Sequence, residues 1–178
     1  MDQERSIKRL REDKEKLRER NIEEYILQLS HESTPYRIRA AEALGGSCDE
    51  RAVEPLIAGL KDPSEEVRWV VTRALGRLQD ARAVDPLIAL LTDSDRWTRR
   101  GAAWALGEIG NARAAEPLIA LLADGKKDVR IAAAEALGRI GDACAVPALQ
   151  GSLEDEEEPE VRTAIRRALQ LITGAPQL

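Results

Sequence analysis

One helix is written five times in this chain, and that recurrence limits the possible folds more than any single motif does. Leu44, Leu75, Leu106, Leu137 and Leu169 hold the same place in the same local pattern, at steps of 31, 31, 31 and 32 residues. The stretch Val67–Leu78, VRWVVTRALGRL, writes the pattern most fully. A period near thirty residues means that each unit is one supersecondary element, whose apolar face is covered only when neighbours stack on it. The expectation is a tandem array, suited to binding rather than catalysis.

Each unit divides into two helices. The first, A, reads Val53, Leu56, Ile57, Leu60, then Val84, Leu87, Ile88, Leu91, then Ala115, Leu118, Ile119, Leu122. Apolar residues at i, i+3, i+4 and i+7 form one stripe along a helix. Tyr25, Ile26 and Leu29 lie 31 residues before Leu56, Ile57 and Leu60, so a degenerate first unit opens near Asn21. A fourth copy keeps Val146, Leu149 and Leu153 but moves its proline to Pro147. Pro55, Pro86 and Pro117 sit early in A, where a missing N–H costs least. Asp49, Asp80, Asn111 and Asp142 precede A as N-cap-type residues, which leaves open whether the helix starts at once or after a short turn.

A second set of acids, Asp62, Asp93, Asp124 and Asp155, precedes helix B. Asp62-Pro63-Ser64-Glu65 has the form of a capping box, with proline at the first helical position. The lone His31 takes the equivalent place in the first unit and is expected to be a loop or capping residue. Arg37, Arg68, Arg99, Arg130 and Arg162 each stand seven residues before their leucine. The expected role is a ladder in which Arg68, Arg99 and Arg130 tie adjacent loops to Asp62, Asp93 and Asp124 by charge-assisted hydrogen bonds. The Leu-Gly pairs at 44/45, 75/76, 106/107 and 137/138, with further glycines at 110 and 141, are expected to let backbones approach and to end the helix. They are not a phosphate loop, which would precede a helix N-terminus. Gln170 and Thr173 break the pattern and suggest a polar end cap.

Composition narrows the class. With no Phe and 3% aromatic residues, the core must be built from Leu, Ile, Val and Ala in thin helical layers. A net charge of −5 argues against general binding to nucleic acid or anionic membranes. Cys48, Cys144 and one His offer no zinc spacing, and no metal or other cofactor is expected. The acidic run Glu154–Glu158 carries the one extra residue of the last step and lacks the alternating oxygen ligands of a calcium loop. No apolar run reaches the roughly 20 residues that cross a bilayer, and a charged start is unlike a signal peptide. A cytoplasmic, reduced setting is expected. Residues 1–20, charged at almost every step, read as a helical cap ahead of the array at 21–178. Ile7, Leu10 and Leu17 leave a short coiled-coil dimer as the alternative to a monomer.

The segments DVRIAAAEALGRIGDACAVPAL and VRWVVTRALGRLQDARAVDPLIALL resemble HEAT-like repeats of the phycobilisome-lyase type. The resemblance implies an all-α, right-handed superhelix, a solenoid of about five helix pairs with B helices on the concave side. Relatives of this type include proteins that attach or detach bilins and artificial repeat binders. Deoxyhypusine hydroxylase, an iron enzyme, looks similar, and its ligands are His-Glu pairs one place after the recurrent arginine. Here those places hold Ile38-Arg39, Trp69-Val70, Arg100-Gly101, Ile131-Ala132 and Thr163-Ala164, so that activity is not expected. No catalytic residue is assigned, since any Ser-His-Asp set would have to use His31.

The tryptophans stand apart. At about 100° per residue, Val67, Val71, Ala74, Leu75 and Leu78 gather on one side of B, while Trp69, Arg73 and Arg77 point nearly opposite. Trp97 and Trp104 take the places of Glu66 and Arg73 in the next unit, and Arg100 that of Trp69. Large aromatic surface in water is unfavourable, and Trp with Arg is the composition of interface hot spots. The competing possibility is that the rings pack on arginine stems or between repeats. The functional expectation is a non-enzymatic scaffold that binds a protein or peptide, acidic or amphipathic, through Trp69, Arg73, Arg77, Arg96, Trp97, Arg100 and Trp104. The alternative is a bilin-lyase-like accessory protein, with the same residues holding a tetrapyrrole and its propionates.

Overall fold

The computed structural model describes residues 19–174. The charged cap at 1–20, and dimerisation through it, fall almost entirely outside them. Ten helices follow in chain order, with no strand among the described residues: α1 (19–28), α2 (Thr34–Gly45), α3 (Val53–Gly59), α4 (Glu65–Leu78), α5 (Val84–Ala89), α6 (Arg96–Ile109), α7 (Ala115–Ala120), α8 (Lys127–Ile140), α9 (Val146–Asp155) and α10 (Pro159–Thr173). Odd-numbered helices are A and even-numbered ones B, giving the five pairs expected. Each B helix packs on the next, α2 on α4, α4 on α6, α6 on α8 and α8 on α10, while α3, α5, α7 and α9 lie against their own B partners.

Helix A begins after a short turn. Asp49, Asp80, Asn111 and Asp142 each accept the N–H two residues on, at 2.9 to 3.0 Å, closing a 3-10 turn from which the α-helix continues. Helix B departs from the capping-box expectation. Asp62 accepts the Ser64 N–H at 2.8 Å, Pro63 stays outside the helix, and Ser64 takes the N-cap place before Glu65. Asp93, Asp124 and Glu156 make the same turn with the N–H groups of Asp95, Lys126 and Glu158. The extra residue of the last step thus hands this role to Glu156 rather than Asp155.

The apolar stripes meet in one continuous core. Leu44, Leu75, Leu106 and Leu137 are fully buried, whereas Leu169 in the last pair is half-buried. A Cβ built on Gly45 would sit 2.6 Å from Ala74 Cα, on Gly107 2.8 Å from Ala136 Cα, and on Gly138 2.9 Å from Ala168 Cα. Successive B helices therefore touch backbone to backbone. The helices run on past Gly76, Gly107 and Gly138, so those glycines serve approach alone. Termination falls to left-handed residues such as Gly110, with φ 70°, and Gln79, with φ 54°.

The arginine ladder has three of its rungs but not all. Arg37 Nε and Nη2 donate to Asp62 at 2.7 and 3.0 Å, Arg99 to Asp124 at 2.7 and 3.1 Å, and Arg130 to Glu156 at 2.7 and 2.9 Å. The expected Arg68–Asp93 rung is open, and neither forms an ion pair among the described residues. Asp95, two places along that loop, bonds to Thr98 instead, at 2.8 and 2.9 Å. What all five arginines share is a bond from Nη1 to the carbonyl six residues before: His31, Asp62, Asp93, Asp124 and Glu156 accept at 2.7 to 2.9 Å. The arginine recurs because its own loop needs a donor, and the inter-unit rung is added to that.

These rungs make stability depend on acid. The Arg99 guanidinium holds the Asp124 carboxyl below its ordinary value against the opposing effect of burial, and Arg130 does the same for Glu156. Unfolded Asp and Glu titrate near ~3.9 and ~4.3. Folded values lie lower, so the contribution is complete above about pH 5 and is lost as pH falls through ~4 toward the depressed values. Urea midpoints should be flat from about pH 7 to 5 and then fall. The fall should be shallower in Asp124→Asn, and an equal slope in that variant would show that this rung contributes nothing.

Candidate functional site

The sides of α2, α4, α6 and α8 that face away from the core share a groove of about 930 Å³. Repeat register sets its lining. Ile38 and Glu42 on α2, Trp69 and Arg73 on α4, Arg100 and Trp104 on α6, and Ile131 and Glu135 on α8 are i, i+4 pairs at successive steps of 31 residues. Side chains four apart lie on one helical face, so equal steps carry these pairs across the groove in parallel. Val70, Gly101 and Ala132, also one period apart, line it between the larger side chains.

Trp69 is 38% exposed and Trp97 45%. The Arg73 guanidinium lies 4.6 Å from the Trp69 ring centre, and Arg96 and Arg100 lie 4.6 and 5.5 Å from that of Trp97. Exposure and stacking on arginine thus occur together. Trp104 departs from the expectation of an outward ring: it is half-buried against the core, with Cζ3 2.7 Å from where a Gly76 Cβ would stand. The missing side chain of Gly76, one helix away, opens that space. Arg77 is exposed and is not among the groove's lining residues, while Arg96 is tied to the groove through the Trp97 ring.

A family model for HEAT repeats matches residues 22–103 and 84–170, together most of the described chain. This chain belongs to the HEAT-repeat family. It is similar to a chain of the CpcE–CpcF complex of phycocyanin lyase from Nostoc sp. PCC7120, with 31% identity and a TM-score of 0.77, over 87% of this chain and 66% of that one. The chain therefore spans just under two thirds of that relative. A designed armadillo repeat protein in complex with the peptide (KR)4 shares the fold at 24% identity, with a TM-score of 0.68 over 84% of this chain and 80% of the other. An engineered protein shares it at 24% identity and a TM-score of 0.64, over 86% and 79%. No curated protein matches.

The groove of this HEAT-repeat chain is mainly acidic, unlike the arginine-rich surface expected around the tryptophans. Its lining holds Glu42, Glu65, Glu66, Asp95, Asp128 and Glu135 against only Arg73 and Arg100. Asp95 caps α6 through the N–H and hydroxyl of Thr98, at 2.8 and 2.9 Å. The other five carboxylates have no ion-pair partner among the described residues, and the two lining arginines lie on tryptophan rings. Glu42 and Glu135 stand one period before Arg73 and one after Trp104, so reading the register columns across units would have found them. Among the described residues no group of three or more His, Cys, Asp or Glu could hold a metal ion. None of these helices is long and apolar enough to cross a membrane.

Proposed function

We propose that this HEAT-repeat chain is a non-enzymatic scaffold that binds a protein segment across its B helices. The observation that carries the reading is the pair of exposed tryptophans, Trp69 and Trp97, held by arginines beside an apolar-floored groove. Large aromatic surface left in water is costly, and rigid rings in a groove are the side chains that dominate interfaces. Peptides selected from a random display library against the protein should bind Trp97→Ala about 2 kcal/mol more weakly by titration calorimetry, the scale of a hot spot. Unfolding of the variant should be unchanged, since the ring is mostly held by surface arginines. Undiminished binding would move the interface off this face.

A second reading, a bilin-handling accessory protein, draws on the likeness to the phycocyanin lyase chain. Arg73 and Arg100 could face propionates, but the surrounding carboxylates oppose an anionic ligand. A change in visible absorbance when a bilin is added would favour it, and loss of that change in Arg73→Glu would place the ligand here.

A further inference from the structure

We propose that the groove's occupant is a basic linear segment, with Lys or Arg at both ends and an apolar side chain between them. This rests on the groove-binding reading and specifies its partner. Three features of the lining support it. First, Glu42 on α2 and Glu135 on α8 occupy the same register three periods apart, so each end of the groove presents a carboxylate beside an isoleucine, Ile38 or Ile131. Second, Glu65, Glu66 and Asp128 add further negative charge along the lining, and like Glu42 and Glu135 they are without an ion-pair partner among the described residues. By contrast, the loop acids Asp62, Asp124 and Glu156 outside that set are each paired with an arginine. Third, the lining also holds small apolar residues, Val70, Gly101 and Ala132, one on each of α4, α6 and α8. A Cβ on Gly101 would meet nothing closer than 3.5 Å, so packing within the chain does not require glycine there.

These features are complementary to one kind of ligand. Unpaired carboxylates crowded in a cleft repel one another and attract cations, and the cleft walls focus that field. Guanidinium or ammonium groups would meet Glu42 at one end and Glu135 with Asp128 at the other. An apolar side chain would seat over Gly101, against the Trp69 and Trp104 rings. Neighbouring helices pack about 8 to 10 Å apart, which puts the two ends roughly 24 to 30 Å from each other. An extended chain covers about 3.3 Å per residue, so the segment is roughly seven to nine residues long. An acidic segment would meet repulsion at both ends and find only Arg73 and Arg100, whose guanidiniums already lie on the tryptophans.

The test uses three fluorescein-labelled peptides of about nine residues, each with leucines in the middle and either lysines, serines or glutamates at both ends. Fluorescence anisotropy should show the lysine peptide binding at least tenfold tighter than the serine peptide, with affinity falling as salt is raised. The glutamate peptide should not bind. In the Glu42→Lys/Glu135→Lys double variant the lysine peptide should lose at least tenfold. Neither residue has an ion-pair partner among the described residues, so the fold should persist, and circular dichroism checks this. Equal or tighter binding of the serine or glutamate peptide, lost in Trp97→Ala, would overturn the charge assignment while leaving the groove reading in place. Lysine-peptide binding that ignores the double variant would also overturn it. No binding by any of the three would overturn both.

Discussion

Gly107→Ala should destabilise the protein by about 3 kcal/mol, at the upper end of the usual cost of overpacking. The added methyl would lie 2.8 Å from Ala136 Cα and 2.9 Å from its Cβ. Those atoms belong to the backbone of α8 and to the stub nearest it, so no rotamer change relieves the contact and α6 must move away from α8. Because the buried leucines of both helices pack across the same seam, the movement also loosens Leu106 and Leu137. Gly101→Ala, six residues earlier on the same helix, should do the opposite. Its methyl would make ordinary contacts at 3.5 Å with Thr72 and 3.8 Å with Trp69. Replacing glycine inside a helix then stabilises by roughly 0.5 to 1 kcal/mol. Urea unfolding of the two variants measures the contrast, and equal midpoints would refute the close approach of α6 and α8.

Trp104→Ala should cost about 3 kcal/mol of stability, whatever it does to binding. Its ring fills the space over Gly76 and packs on the core, and removing a ring from such a place leaves a cavity that the surroundings only partly close. Trp97→Ala, at a ring 45% exposed, should leave stability within about 0.5 kcal/mol of the parent. The two tryptophans thus separate: one is mainly structural and the other mainly presented to a partner. Thermal or urea denaturation of both variants checks this, and similar losses in both would mean that Trp97 is also packed between repeats.

Much of the molecule was legible before any tertiary structure. The steps between Leu44, Leu75, Leu106, Leu137 and Leu169 determine the number of pairs. The stripe of Leu56, Ile57 and Leu60 determines which side of A is buried, and the helical wheel puts Trp69 and Trp97 off the core. These are properties of one helix and its period, and local geometry is enough to derive them. Tertiary structure alone decided the rest. Whether Arg68 finds Asp93, or Glu156 displaces Asp155, depends on how loops of different units face each other. Trp104 turns inward because Gly76 on the neighbouring helix leaves it room. The groove is acidic because carboxylates from α2, α4, α8 and the start of α6 gather around two arginines. Each of these outcomes depends on side chains from separate elements sharing one space, and the periodicity of a single helix carries no information about what its neighbour brings there.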